Sequence, residues 1–383
     1  MIMISQRKKL LIVTDYFYPH WTGIAKSFSF TIEYLRDVYD FTILTVRHLD
    51  KLKSDESYFS ARIKRYQTLF SFSRSKYSIS LLVGFVNEIK THKVIIINSP
   101  CVNILPLSLL SKLFSKKLII YHQGDLILPD GIGNKIIERI FDVSTIIAFQ
   151  LADCISTNTR DYAANSRVMK YFLNKFTPLL LPVVKKKIKK TRLPDLQELK
   201  KSKKILIGFG GRFVREKGFD ILFDAIPLIV KKMPQVYFVF AGETTMKYED
   251  FYEQNIEKIN KIKTFIVFLG LLKEDDLRSL YSYLDFLVVP SRSDCFPLMQ
   301  AEAMMHGVPS IVSNIPGARY LVKKTKFGVT FKNGDAKDLA KKIVFAINNK
   351  NKINSFYPKV EEVLNNDRNS QKIIDVIEYL YDS

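Results

Sequence analysis

The chain has 383 residues, more than one hydrophobic core usually organises, so two domains of moderate size are expected. Hydrophobic residues make up 47% and charged residues 25%, which excludes a disordered or fibrous chain. A net charge of +21 points to an anionic partner such as nucleic acid, phospholipid headgroups or a phosphorylated substrate, although lysine-rich usage on a solvated surface accounts for it equally well.

Arg7, Lys8 and Lys9 precede only the short apolar run 10–13 before Thr14 and Asp15 interrupt it. That is too short for a secretion signal, and it reads as a first strand. No apolar run reaches the roughly 18 to 20 residues that a membrane-spanning helix needs. Further runs suited to a buried parallel sheet fall at 41–46, 94–97, 118–121 and 154–157, with helical segments between several of them. After Pro182 the pattern breaks into a basic stretch with Lys185, Lys186, Lys187, Lys189, Lys190, Arg192, Lys200, Lys201, Lys203 and Lys204, and with Pro194 inside it. This stretch reads as a linker.

The alternation restarts at 205–209, 236–240, 265–268, 286–289 and 310–312, which implies a second sheet of the same type. The expected organisation is an N-terminal domain over 1–184, a linker over 185–204, a C-terminal domain over 205–366, and a last helix over 367–383. Apolar residues at helical spacing from Ser370 to Tyr381 fit a helix that returns to the first domain. Two α/β domains facing one another would bind ligands at the carboxyl ends of their strands, in the cleft between them. Cys101, Cys154 and Cys295 are scattered, with no disulfide or zinc spacing, as suits a reducing cytosol.

Two stretches carry chemistry. The first runs Gly208-Phe209-Gly210-Gly211-Arg212 and on through Phe213 to Lys217-Gly218, before a helix expected from Phe219 to about Lys232. Two cations just ahead of a helix N-terminus receive phosphate through charge, free amides and dipole together, so a diphosphate is the expected guest. A glycine turn with two solvated basic residues fits the stretch equally well. No Ser or Thr follows the lysine, as a P-loop requires, and Phe213 stands where a dinucleotide fingerprint has its third glycine. The second stretch is 290–309, with Asp294, Phe296, Pro297, Leu298, Glu302 and Gly307. Pro297 suits a first helical position and Gly307 a C-terminal cap. Glu302 in an apolar helix calls for a hydroxyl-rich ligand, or else for a neighbouring backbone group or lysine.

Together the Gly-Arg-x4-Lys-Gly stretch and, some eighty residues on, an acid followed at the eighth position by Glu, then Ala-Met and Gly-x-Pro, resemble the large retaining glycosyltransferase family 4 of the GT-B fold. The resemblance implies two Rossmann-like, doubly wound domains facing across a cleft. It implies that Arg212 and Lys217 hold the diphosphate of a UDP- or GDP-linked sugar, and that Glu302 binds the ribose hydroxyls. Asp294 takes the place of the acid near the donor sugar, with one methylene fewer than the family's usual Glu. Tyr18-Pro19-His20-Trp21-Thr22-Gly23 is similar to the family's glycine loop, of which only Gly23 remains. Tyr121-His122-Gln123-Gly124-Asp125 is similar to its His-containing loop beside the donor sugar, and 152–159 to its Ala-Asp strand before a helix. Phe268-Leu269-Gly270-Leu271 resembles the segment that cradles the nucleobase.

The resemblance implies a cytoplasmic, metal-independent, retaining hexosyl-type transferase with no cofactor, catalytic residues His122, Arg212, Lys217 and Asp294, and donor contacts at Gly23, Gly211, Gly270, Leu271, Phe296, Pro297, Leu298 and Glu302. The absence of any Asp-x-Asp triplet leaves the cations to neutralise the leaving diphosphate. The expected acceptor is a glycan or lipid-linked glycan of bacterial polysaccharide or lipopolysaccharide synthesis, at or near the inner face of the cytoplasmic membrane, whose anionic surface suits the positive charge. Two rival readings are a nucleotide-sugar epimerase or hydrolase on a similar fold, and a non-enzymatic basic protein that binds RNA or a membrane surface. No nucleic-acid module is recognisable, so no nucleic-acid partner is expected.

Overall fold

The structure is a computed structural model that describes residues 7–20, 22–72, 75–128, 131–189, 191, 193–245 and 249–383. Trp21, Lys190 and Arg192, named above, lie outside the described residues. The chain forms two compact units, one of residues 1–182 with 366–383 and one of residues 183–365.

The first unit is built on β1 (Lys8–Val13), β2 (Tyr39–Val46), β3 (Asp55–Tyr58), β4 (Ala61–Tyr66), a separate hairpin of β5 (Phe70–Phe72) and β6 (Ser75–Tyr77), then β7 (Val94–Ser99), β8 (Lys117–His122), β9 (Cys154–Thr157) and β10 (Phe176–Pro178). Eight of these form one sheet in the order β10-β9-β8-β7-β1-β2-β4-β3. All neighbours are parallel except the β3–β4 pair. Successive side chains of a strand point to opposite faces, and β1 divides accordingly. Leu11 and Val13 enter one core with Leu81, Phe85, Ile104, Leu107 and Phe149. Leu10 and Ile12 enter the other with Phe28, Ile32, Ile373, Ile377 and Leu380.

The last helix, Asn366–Asp382, belongs to this first unit. Ile373, Ile377 and Leu380 bury one stripe of it, each contributing roughly 1.5–3 kcal/mol. Tyr39 donates to the Glu378 carboxylate at 2.8 Å, and Lys8 pairs with the same side chain. The strands absent from the sequence reading, β3 and β4 above all, alternate instead of forming continuous apolar runs, β3 between exposed and half-buried residues and β4 between buried and more exposed ones. That is the pattern of the sheet's outer strands.

The second unit comprises β11 (Ile205–Gly210), β12 (Val236–Ala241), β13 (Ile266–Phe268), β14 (Phe286–Val289), β15 (Ser310–Ser313) and β16 (Gly328–Phe331). They form a wholly parallel sheet in the order β13-β12-β11-β14-β15-β16. The chain moves outward from β11 to β13, then returns to β14 on the other side. The point between β11 and β14 is therefore a topological switch point, where the loops leaving two adjacent strands diverge and make room for a ligand.

The structure corrects the expected linker. Residues 194–201 are a helix, Pro194–Lys201, and its Leu196 is fully buried with Leu206, Leu280 and Leu284. Leu193 and Leu199 pack beside it, three residues away on either side, so an amphipathic helix hides beneath the basic composition. The unit boundary falls between Pro182 and Val183, and Asn366 opens the last helix instead of closing the second domain.

In the first unit, the switch point lies between β1 and β7. There Asp15, just past β1, is buried and accepts a hydrogen bond from the Cys101 thiol at 3.2 Å. Burial pushes its carboxyl up from the ordinary 3.8 to about 7, against the lowering effect of the Cys101 and Val102 hydrogen bonds. The native state thus holds this proton more tightly than the unfolded chain does. The resulting stabilisation is complete below the unfolded value and is lost as pH rises through about 7. In thermal melts across that range, Asp15→Asn is expected to remove this part of the decline in melting temperature. Parallel pH profiles for wild type and variant would contradict the assignment.

Candidate active site

The loop leaving β11 is anchored by the residue that disqualified it as a dinucleotide fingerprint. Phe213 is fully buried, with ring centroids 5.1 Å from Phe219, 5.7 Å from Phe223, 5.4 Å from Phe240 and 5.8 Å from Phe251. With that ring fixed in the core, Arg212 and the turn Arg215–Lys217 remain on the rim. The helix Phe219–Val230 starts immediately after, two residues shorter than expected at its far end.

A second tether joins this loop to the one leaving β14. Gly218 has φ +67°, and a Cβ built on it would lie 2.1 Å from the Pro290 carbonyl oxygen. Arg292 donates to both carboxylate oxygens of Asp220 at 2.7 Å and to the Arg215 carbonyl at 2.9 Å. Its own amide donates to the Glu216 carbonyl at 2.8 Å. Such a bidentate guanidinium–carboxylate pair fixes orientation as well as distance. The sequence reading named neither Arg292 nor Asp220 as functional; their only signal was their place beside the two motifs.

The consequence is a contact across 77 positions of sequence: Lys217 Nζ donates to Asp294 Oδ2 at 2.6 Å. The Ser291 hydroxyl lies 3.5 Å from the same oxygen. An ammonium has three donors, so one carboxylate partner does not exhaust it. Arg212 reaches Glu216 Oε1 at 3.4 Å along its own loop. Arg212, Lys217 and Asp294 are thus gathered on the two loops of the switch point.

The adjoining loops meet at backbone distance. Gly211 N–H donates to the Ala241 carbonyl at 3.0 Å, and Gly242 N–H to the Gly270 carbonyl at 2.8 Å. A Cβ on Gly242 would stand 2.1 Å from the Gly211 carbonyl oxygen, which explains a glycine there. Leu271, next to Gly270, is 78% exposed. On the other side, Phe296 and Leu298 are half-buried and Pro297 is buried. The helix is Leu298–Met305, so Pro297 is its N-terminal cap and not its first helical residue. Having no N–H, Pro297 contributes no donor to the cluster of amides that opens the helix. Gly307, past the C-terminus at φ +80°, takes the left-handed conformation expected of a cap.

Glu302 stands in this helix and is buried. Its Oε2 accepts a hydrogen bond from Tyr281 at 3.0 Å, and the Tyr281 ring stacks on His306 with centroids 5.5 Å apart. Burial, then the neighbouring Glu302 charge, pushes the Tyr281 phenol well above its ordinary range and keeps it a donor. A tyrosine hydroxyl thus stands where a backbone group or lysine was the expected protein partner.

In the first unit, Gly23 opens the helix Gly23–Leu35 behind the Thr22 cap, and nothing lies within 4 Å of where a Cβ would project. His122 is the last residue of β8 and not a loop residue. It is 1% exposed, with Nδ1 2.9 Å from Ser99 Oγ and Nε2 3.1 Å from Asp125 Oδ1. Burial raises the Asp125 carboxyl, but His122, Ser166 and the Arg167 amide outweigh it and hold the group at about 2. The imidazole is therefore clamped between two partners, and it fixes the loop beyond β8.

Residues 194–363 match the family model described as "Glycosyl transferases group 1". The chain is 32% identical over 124 residues to a protein named "Uncharacterized glycosyltransferase MJ1607" of Methanocaldococcus jannaschii, which covers 32% of this chain and 31% of that protein. It is 31% identical over 112 residues to "O-antigen biosynthesis glycosyltransferase WclY" of Escherichia coli, 29% of each chain. The chain spans about a third of the length of the curated relatives it matches. In three dimensions it is similar to sucrose-phosphate synthase of Thermosynechococcus elongatus, with TM-score 0.76, 15% identity and coverage of 98% and 99%. It is also similar to Anabaena HepE in complex with UDP, with TM-score 0.72, 17% identity and coverage of 97% and 100%. The fold is thus the two-domain α/β fold of the GT-B glycosyltransferases, with a parallel sheet in each domain. The match to the group 1 glycosyl transferases falls within the second unit.

The backbone contact at Gly218 is directly testable. Gly218→Ala forces a side chain into the left-handed region, at a cost of roughly 1–2 kcal/mol, and presses it on a backbone carbonyl that has no rotamer to escape through. The variant is expected to unfold at lower urea concentration. An unchanged midpoint would mean that the two loops are not in contact.

Proposed function

We propose that the protein is a retaining, metal-independent glycosyltransferase of the hexosyl type that takes a UDP- or GDP-linked sugar as donor. The observation that carries this reading is the meeting of Lys217 and Asp294, with Arg212 on the same loop, at the switch point of the second sheet. The family match of that unit supports it, as does the UDP held by the similarly folded HepE. In this reading Arg212 and Lys217 bind the diphosphate, with the opening turn of the helix Leu298–Met305 and the loop at Gly211 beside them. Glu302, oriented by Tyr281, takes the ribose hydroxyls, Gly270 and Leu271 flank the nucleobase, and Asp294 addresses the donor sugar. Phe296, Pro297 and Leu298 shape the donor's edge of the site. The first unit is assigned to the acceptor, with Gly23 and the clamped His122 shaping its loops.

In the reaction, the bond from the anomeric carbon to phosphate oxygen breaks and its electron pair stays on the departing diphosphate. The acceptor hydroxyl forms the new bond from the same face, and its proton passes to a phosphate oxygen. Negative charge grows on the diphosphate as positive character grows on the sugar, so cations already in place stabilise the transition state more than the ground state. The O-antigen relative favours a glycan or lipid-linked glycan acceptor of bacterial surface polysaccharide synthesis, used in the cytoplasm at or near the inner face of the membrane.

Thermal shifts against UDP, GDP, ADP and their sugars identify the donor, since a ligand that binds the folded form raises its melting point. With that donor, Arg212→Ala or Lys217→Ala is expected to lower turnover by roughly 100-fold or more, as does loss of an oxyanion stabiliser. Glu302→Ala is expected to act mainly on donor affinity. Near-wild-type turnover in both cation variants would refute the assignment.

A further inference from the structure

One face of the first unit is apolar where a solvated helix layer would be polar. The helix Ile132–Leu151 exposes Ile132, Ile136, Ile140, Val143 and Ile147, at steps of four, four, three and four residues. That spacing draws a single stripe along the helix, and Ile132 is 84% exposed. The opposite side of the same helix already serves the core through Thr145, Ala148 and Phe149, so the stripe is a second apolar face. Two neighbouring helices cover the same face of the sheet, since all three contribute to one core. Ile104–Leu113 exposes Leu109 and Leu113, and Ile79–Ile89 exposes Ile79 and Val83. An apolar patch spread over three adjacent helices marks a surface that meets something.

The charges on this layer identify the partner. Its acids are all turned inward. Asp142 takes two hydrogen bonds from Arg167, at 3.0 and 3.1 Å, and Glu138 accepts from the Leu128 amide at 2.7 Å beside the same guanidinium. Glu88 is held by Arg62 and Lys64 at 2.7 and 2.6 Å. Lys135, Arg139 and Lys90 are exposed, Lys135 standing 3.6 Å from Glu138, and Lys112 pairs at 2.7 Å with Asp153 just past the long helix, so within the three helices the described residues expose cations and no carboxylate. The helix Asn366–Asp382 in the other core shows the ordinary alternative, exposing Asp367, Arg368, Lys372 and Asp375 together.

We infer that this three-helix face of the first unit seats the protein on an anionic lipid bilayer, the apolar stripe entering the interface and Lys135 and Arg139 reaching the headgroups. A helix with an apolar stripe and a basic flank lies in the plane of such a surface, and long basic side chains extend their charge to the headgroup level. No helix of the described residues is long and apolar enough to cross the membrane, which suits a helix lying on it. A second copy is a poorer occupant, because a two-fold contact would set Lys135 and Arg139 of the two copies together, and the nearby exposed acid, Asp153, is already paired with Lys112. The inference rests on the first unit alone and does not depend on the donor reading.

The test is sedimentation of the full chain with vesicles of phosphatidylcholine, with and without phosphatidylglycerol. Wild type is expected on the anionic vesicles, with affinity that weakens as salt rises. The double variant Ile136→Glu/Ile140→Glu is expected to weaken binding by roughly tenfold or more, because two carboxylates would replace apolar groups at the interface. Lys135→Glu/Arg139→Glu removes most of the salt dependence, and Phe345→Glu, exposed in the second unit, leaves binding unchanged. All these positions are on the surface, and retained melting transitions show that the variants fold. The inference is overturned if wild type ignores both vesicles or if Ile136→Glu/Ile140→Glu binds as wild type does. It is equally overturned if wild type is a dimer without lipid and that variant a monomer, which would give the face to a second copy. Thermal shifts with nucleoside diphosphates report on the second unit, so a failure of the donor reading is seen separately.

Discussion

The contact of Gly218 with the Pro290 carbonyl is the constraint on which the candidate site depends. It brings the loops of β11 and β14 to backbone distance, and only a residue without a side chain fits there. The Arg292–Asp220 pair then sets the rotation of one loop against the other, and Phe213 pins the first of them to the core. Lys217 and Asp294, 77 residues apart, meet because these three devices leave them no other arrangement. Flexible lysines rarely hold one geometry unaided, so the rigidity has to come from the residues around them.

The two units use the same plan with different results. Each has a sheet that is parallel around its switch point, and each puts an acid near it. In the second unit the acid, Asp294, is partly exposed and paired with Lys217. In the first, Asp15 is buried beside a thiol and holds its proton, while His122 is spent on Ser99 and Asp125. Charge is thus displayed in one unit and buried in the other. The first unit offers instead the apolar, cation-edged layer of three helices, which the net charge of +21 hinted at without locating.

Much of the fold was legible because strands buried on both faces appear as continuous apolar runs. β9 and β14 coincide with the expected 154–157 and 286–289. β3, β4, β10 and β16 were not seen, since outer or short strands carry mixed residues instead of continuous apolar runs. The helix Pro194–Lys201 was hidden by its lysines: composition measures the solvent side, whereas three leucines spaced by three decide the packing. Of the candidate site, Arg212 and Lys217 were legible as cations ahead of an expected helix N-terminus and Glu302 as a charge inside an apolar helix, whereas Asp294 was legible only through the family resemblance. Tyr281 and Arg292 were not, because their importance lies wholly in what they touch.

Local chemistry, then, was enough to establish two α/β halves and the last stretch as a helix. Short-range rules reach that far, since strand period, capping and the cost of an unpaired charge act over a few neighbours. Packing settled the rest. It chose Tyr281 as the partner of Glu302, sealed His122 between two side chains, turned Glu138 and Asp142 inward onto Arg167, and left the isoleucine stripe facing out. Which way a side chain points depends on the element beside it, and that neighbour is assigned only when the whole chain has folded.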